Sequence, residues 1–212
     1  MSIFLQNNFA EIQNFFDDPD LIRNIGLHCD YNKCNFLDMR HIYSGVRSQL
    51  KYEVIHQRIC NKIEVVTNIK IFNLSIHFHL NPILSCFGAP HHDGHDPDSF
   101  AGVIYLNDQI PDIDCGTTLY FEPFQEILEN QPDIFDMQLM YSLDLPFNHP
   151  QKINAQKKFL EFKKNLKVKQ NFKNEYNKLV MYKSNIFHSP DFYFGNNLTD
   201  SRMTIVFHGK LK

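Results

Sequence analysis

The chain has 212 residues, a hydrophobic fraction of 43%, an aromatic fraction of 14% with 20 Phe and no Trp, and a formal net charge of −3. The length suits one domain with a sizeable core, and the composition excludes a disordered or low-complexity chain. The weak negative charge gives no global basic field, which argues against a nucleic-acid partner.

The first residues, Met1 to Asn8, have neither a basic start nor a long apolar run, so no secretory leader and no membrane span are expected. Five cysteines, Cys29, Cys34, Cys60, Cys86 and Cys115, are odd in number and contain no Cys-x-x-Cys pair. Reduced thiols and a cytoplasmic location follow as expectations. Charge is unevenly spread. Residues 71–151 hold twelve acids and no Lys or Arg, whereas nine lysines fall between Lys152 and Lys178. An acidic middle balanced within the molecule by a basic late segment is preferred over a site mouth that attracts a cationic substrate.

In chain order, Asp18 is suited to cap a helix, with Pro19 in its first position, Leu21, Ile22 and Ile25 as its apolar stripe, and Gly26 to His28 as its end. A loop carrying Tyr43 to Arg47 follows, then an amphipathic helix expected from about Ser48 to about Cys60. From Ile69 to Leu80 the pattern alternates, with Leu74, Ile76, Phe78 and Leu80 on one face and Ser75, His77 and His79 on the other. Further strands are predicted at Phe100–Asn107, Thr117–Phe121, Lys178–Lys183 and Arg202–His208, with prolines between them. A lysine-rich helix at Ile153–Val168, read as an insertion at about 150–175, interrupts this strand-rich half. The expected fold class is therefore α+β, mainly β, a sandwich or barrel in a single domain covering 1–212 with N-terminal helices.

The segment Ala89 to Asp96 contains a His-x-Asp, His91 and Asp93. In extended backbone, residues i and i+2 point to the same side, so an imidazole and a carboxylate converge there. A second histidine would complete the facial set of non-haem Fe(II) oxygenases, which leaves open positions on the metal. His188 follows an apolar strand and is the preferred partner over His149, in a proline-flanked loop, and His208, which has no arginine after it. Arg202 opens the last strand, where its planar fork suits a carboxylate, and Thr204 shares its face. His92 is expected to point away from His91 and Asp93. His77-Phe78-His79 resembles half of a cupin metal motif, but no Glu follows at the required spacing, so a polar strand face is expected. Arg47 is read as a surface ion pair, with a substrate carboxylate as the other reading.

The ordered set His-x-Asp, distal His, then Arg on the next strand, in the run HHDG…FAGVIYLND…CGTTLYF…LVMYKSNIFHS…RMTIVF, resembles the 2-oxoglutarate/Fe(II)-dependent dioxygenase superfamily, in its small prolyl-hydroxylase-like bacterial and phage type. The early DPDLIRNIGL and YSGVR are similar to that group's N-terminal region, and the lysine-rich segment departs from it. The resemblance implies a double-stranded β-helix, a jelly-roll or cupin-like core. It implies Fe(II) held by His91, Asp93 and His188, with 2-oxoglutarate and dioxygen as co-substrates. Arg202 would pair with the distal carboxylate of 2-oxoglutarate, Thr204 would assist, and Tyr105 would touch the co-substrate or support the site. The implied reaction hydroxylates a small molecule or a peptide or protein side chain and releases succinate and CO2. Two other readings stand beside it: a catalytically silent jelly-roll binding or assembly module, and a zinc hydrolase, for which no separate general base is evident. The lysine-rich segment keeps a nucleic-acid substrate open.

Overall fold

The computed structural model describes residues 7–33, 43–49, 52–197 and 199–211. Its elements in chain order are β1 (Phe9–Ile12), α1 (Pro19–Leu27), β2 (Asn32–Lys33), β3 (Val46–Gln49), α2 (Glu53–Thr67), β4 (Ile71–Asn81), β5 (Ser99–Tyr105), β6 (Thr117–Tyr120), α3 (Gln125–Leu128), α4 (Ile134–Tyr141), α5 (Pro150–Lys164), β7 (Val168–Phe172), β8 (Leu179–Lys183), β9 (His188–Pro190) and β10 (Arg202–Leu211). The strands form a seven-stranded sheet in the order β1-β8-β5-β10-β4-β3-β2 and a three-stranded sheet in the order β7-β6-β9. Every pairing is antiparallel.

Side-chain alternation decides which face of the large sheet meets what. Ile76, Phe78 and Leu80 of β4 join Ile205 and Phe207 of β10 beneath Ile22 of α1 and Ile55, Ile59 and Ile63 of α2. The opposite face presents Val103, Tyr105, Val180 and Val206, which pack against Leu119 and Phe172 of the small sheet. The outer side of the small sheet is covered in turn by α5, through Tyr120, Phe162, Leu166 and Phe187. The polar residues of β4, Ser75, His77 and His79, thus face the space between the sheets. At the start of α1 the Asp18 carboxylate accepts from Leu21 N at 3.0 Å, as an N-cap should.

Several elements differ from the sequence expectation, and three of them bear on the site and its cover. The helix expected from Ser48 begins instead at Glu53 and runs to Thr67, because Val46 to Gln49 pair with β4 as an added strand. The lysine-rich helix spans Pro150–Lys164, and Val168 to Phe172 return as β7 along β6. β7 is an edge strand with Lys169, Gln170 and Asn171 at its middle, so it shows no hydrophobic alternation. A further helix, α4, is capped by Asp133, whose carboxylate accepts from Asp136 N at 2.9 Å.

The lysines of the insertion are partly internal. Lys158 pairs with Asp136 at 2.8 Å, and Lys163 lies 3.6 Å from the buried Asp191. Lys152, in the first turn of α5, is fully buried and donates to the carbonyl of Ser142, the C-cap of α4, at 2.5 Å, and to Leu145 O at 3.4 Å. Burial lowers its pKa, yet a cation here meets the negative end of a helix. Cys60, Cys86 and Cys115 are free thiols, and Cys34 lies outside the described residues. Among the described residues no helix is long and apolar enough to cross a membrane.

Lys152→Ala is expected to destabilise the protein by about 2–4 kcal/mol in urea unfolding, through a cavity and two orphaned carbonyls. Lys157→Ala, at an exposed position of the same helix, is expected to stay within about 0.5 kcal/mol. Equal effects would contradict the internal role of Lys152.

Candidate metal centre

Two backbone segments deliver the histidines side by side. His91 and His188 form an antiparallel bridge, with His91 N donating to His188 O at 2.9 Å and His188 N donating to His91 O at 3.0 Å. Their rings lie 4.4 Å apart. Just beyond, Asp93 N and Gly94 N both donate to Ser184 O, at 3.0 and 3.2 Å, which turns the loop so that Asp93 faces the same point. Asp93 Oδ1 is 3.4 Å from His91 Nε2, and its Oδ2 is 3.4 Å from His188 Nε2. The ligand-type atoms of His91, Asp93 and His188 lie within 4.8 Å of one another, a set able to hold a metal ion.

The hydrogen bonds on the far side of each ring decide the tautomer. His91 Nδ1 meets Ala89 O at 2.8 Å and His188 Nδ1 meets Ile186 O at 2.9 Å. A carbonyl only accepts, so each Nδ1 carries the proton and each Nε2 turns its lone pair toward Asp93. Burial draws His188 down to about 4 despite the carboxylate beside it. Burial opposes ionisation of Asp93, but His188, His208 and His91 around it outweigh that and hold its carboxyl well below the usual range. For His91 burial is again the largest effect, and its contacts with Asp93 more than offset it, so that ring is raised. An ionised carboxylate beside imidazole nitrogens is a donor set for a divalent first-row cation.

A cluster of buried polar side chains lies on the same inner face. Arg202 is 2% exposed; its Nε donates to Cys115 O at 2.9 Å and its Nη2 to Gly116 O at 3.1 Å. Its guanidinium lies over the rings of Tyr105 and Tyr193, at 5.4 and 5.6 Å. Thr204 Oγ1 and Asn81 Nδ2 are buried with no protein partner. Arg202 pairs with Asn81 across the sheet, and Thr204 stands between His79 and Tyr105. Unpartnered buried donors beside a guanidinium fit a carboxylate that supplies the missing acceptors. Tyr105 itself donates to Thr117 Oγ1 at 2.8 Å, so its hydroxyl is already engaged.

Other residues singled out by sequence take ordinary places. His92 turns away from the cluster, with Nε2 3.0 Å from Glu122 and its ring against Phe187. His149 starts α5. His79 is buried with Nε2 at Ser44 O, and Arg47 lies over the ring of Tyr43 at 4.4 Å. Sequence reasoning missed Asn81 and Tyr193 and, at the cluster itself, set aside as a ligand candidate His208, whose Nε2 is 3.4 Å from Asp93 Oδ1. Strand parity could have found it, since Arg202, Thr204, Val206 and His208 alternate onto one face of β10.

Residues 6–205 match the model of a family described as being of unknown function, DUF6445. The chain belongs to this family. No curated protein matches it. Among solved structures it is similar to a prolyl-4-hydroxylase of Pseudomonas putida, at 13% identity and TM-score 0.55 over 99% of this chain and 95% of that one. It is similar to a prolyl hydroxylase of Trichoplax adhaerens in complex with a hypoxia-inducible-factor peptide, at 12% identity and TM-score 0.54 over 98% and 85%. HygX of Streptomyces hygroscopicus, with nickel, 2-oxoglutarate and hygromycin B bound, gives 12% identity and TM-score 0.56 over 98% and 85%. At these identities the likeness establishes the fold that this family member shares with such enzymes.

The site shapes the acid response of the metal-free protein. His77 and His188 are both lowered to about 4, and His79 is lowered well below the usual imidazole range, burial being the main cause each time. An unfolded chain protonates these rings near 6.5, so between about 6.5 and about 4 it binds more protons than the folded one. Their contribution is complete above about 6.5 and is lost as pH falls toward about 4; for His188 alone a shift of that size corresponds to ~3 kcal/mol. The raised His91 acts with opposite sign, favouring the folded state below about 6.5, but it is one ring against three. Urea midpoints are therefore expected to fall steadily from pH 7 to pH 4, and a flat profile would contradict the buried, neutral state of these rings.

Proposed function

We propose that this protein is an Fe(II)- and 2-oxoglutarate-dependent dioxygenase that hydroxylates a small molecule or a peptide or protein side chain. The two facing sheets are read as the jelly-roll, double-stranded β-helix core of such enzymes. The observation that carries the proposal is the combination of the His91–Asp93–His188 cluster with the buried Arg202 and the unpartnered Thr204 and Asn81 donors on the same inner face. His91, Asp93 and His188 would hold Fe(II) on one side and leave the remaining positions for co-substrate and dioxygen. Bound iron and 2-oxoglutarate supply the oxidative decarboxylation, to succinate and CO2, that drives oxygen insertion into a C–H bond.

The residues of the chain do the holding and the excluding. The Ala89 and Ile186 carbonyls orient the two imidazoles. Arg202, braced by the Cys115 and Gly116 carbonyls, would direct the rest of its fork at the distal carboxylate of 2-oxoglutarate, joined by the Thr204 hydroxyl and the Asn81 amide. Val103, Leu119, Val180 and Val206 wall the space with apolar surface and keep water from these charged contacts. HygX binds nickel and 2-oxoglutarate in its structure, and a Trichoplax relative by fold binds a peptide; both substrate sizes are carried into the proposal. A silent binding module of the same shape would leave Thr204 and Asn81 unsatisfied to no purpose. Free thiols suit a cytoplasmic setting.

Anaerobic titration with Fe(II) and 2-oxoglutarate tests this by visible absorption. Wild type is expected to develop a weak charge-transfer band, Asp93→Ala to lose it, and Arg202→Ala to need on the order of tenfold to a hundredfold more 2-oxoglutarate, the loss expected for a buried charge-assisted contact. Thr204→Val is expected to weaken 2-oxoglutarate binding less than Arg202→Ala. Absence of the band and of iron affinity in wild type would overturn the proposal.

A further inference from the structure

Asp93 is touched by three imidazoles, of which the facial set uses two. Nε2 of His91, His188 and His208 each stand 3.4 Å from one of its oxygens. His208 differs from the other two. Although it reaches Asp93, at the same Oδ1 as His91, it falls outside the set whose ligand atoms all lie within 4.8 Å of one another. His91 and His188 have a backbone carbonyl at Nδ1 that frees Nε2 for a cation, whereas among the described residues no carbonyl meets Nδ1 of His208. A carboxylate only accepts, and a His208 ring whose Nδ1 is not committed to a carbonyl can carry its proton on Nε2 and present an N–H to Asp93.

We propose that His208 is a positioning residue of the metal centre: it donates from Nε2 to Asp93 Oδ1 and so holds the carboxylate in the orientation in which its other oxygen is offered to the cation. The inference rests on the metal reading above and adds a fourth residue to it. The geometry of β10 supports it. Along β4 the register of β10 slips after His208, so that His208 pairs with Ser75 and Lys210 with Phe72. Such a bulge re-aims side chains at the end of a strand. Beyond it, Lys210 Nζ grips Asp96 Oδ2 at 2.7 Å. The loop that carries His91 and Asp93 is therefore fastened to β10 at Asp93 and at Asp96. The strand that bears Arg202 and Thr204 thus also sets the angle of the metal-facing carboxylate. A side chain 39% exposed has no packing reason to be there, whereas partners that orient ligating carboxylates typically govern metal affinity by about 10- to 100-fold.

The test uses the full chain with cobalt(II) under anaerobic conditions, reading dissociation constants by calorimetry and the visible absorption of the bound ion. Thermal midpoints of the metal-free protein are recorded in parallel. His208→Phe is expected to weaken cobalt binding by about 10- to 100-fold and to shift its absorption bands, with the metal-free midpoint unchanged. His208→Gln, which keeps an N–H donor, is expected to recover most of the affinity and the wild-type bands. Unchanged affinity and spectrum in His208→Phe would overturn the inference alone. Equal loss in both variants, with the band intensities of a changed ligand count, would overturn it by making His208 a ligand. A lowered metal-free midpoint with unchanged affinity would reduce His208 to a structural role. Failure of the wild type to bind cobalt would overturn this inference and the metal reading together.

Discussion

The site depends on one short antiparallel bridge. His91 and His188 exchange both backbone hydrogen bonds, and two residues so paired project their side chains from the same face. That single constraint sets two imidazoles next to each other without any help from side-chain packing. Alternation then brings Asp93, two residues on, to the same side, and the Ser184 carbonyl, receiving two N–H groups, fixes the turn. A second isolated bridge, Phe87 to Phe192, extends the contact away from the site. Together they lay residues 87–91 along the small sheet, so the metal-competent cluster falls at the seam where the two sheets meet.

The stability needed to hold this arrangement comes from elsewhere. Buried neutral histidines and unpartnered donors on Thr204 and Asn81 are unfavourable in the ligand-free protein, at roughly 1–3 kcal/mol for each orphaned polar group. Against them stands an apolar layer on the other face of the same sheet, with Ile59, Ile63, Phe78, Phe100, Ile205 and Phe207 almost wholly buried. The large sheet is therefore a divided object: β4 and β10 each send alternate residues into a dry core and into a polar interior. Departures from local rules of satisfaction concentrate on one face, where a ligand would resolve them.

Much of this was legible in sequence because period-2 alternation speaks directly. It placed Ile76, Phe78 and Leu80 opposite His77 and His79, and it put Thr204 beside Arg202. The same parity pointed at His208, which was passed over on the spacing of a following arginine, a criterion for a ligand and not for a ligand's neighbour. β3 and β7 were invisible because each is short, polar and near a sheet edge, so pairing and not burial defines it. Asn81 could not be found because its significance lies in a missing partner, a property of three-dimensional surroundings. Lys152 was read among exposed lysines, and only the terminus of α4 above it explains its burial.

The insertion has one more property. β6 and β7 are direct neighbours in the small sheet, paired from Thr117 with Phe172 to Tyr120 with Val168, yet residues 121–167 separate them. Neighbouring antiparallel strands lie only ~4.8 Å apart and are commonly joined by a few residues. The whole helical segment therefore departs from the sheet and returns to it at almost the same point, as a closed excursion. Its length and content can change over evolutionary time without shifting the register of a single strand, and the sheet framework and the cover over its outer wall can diverge at independent rates.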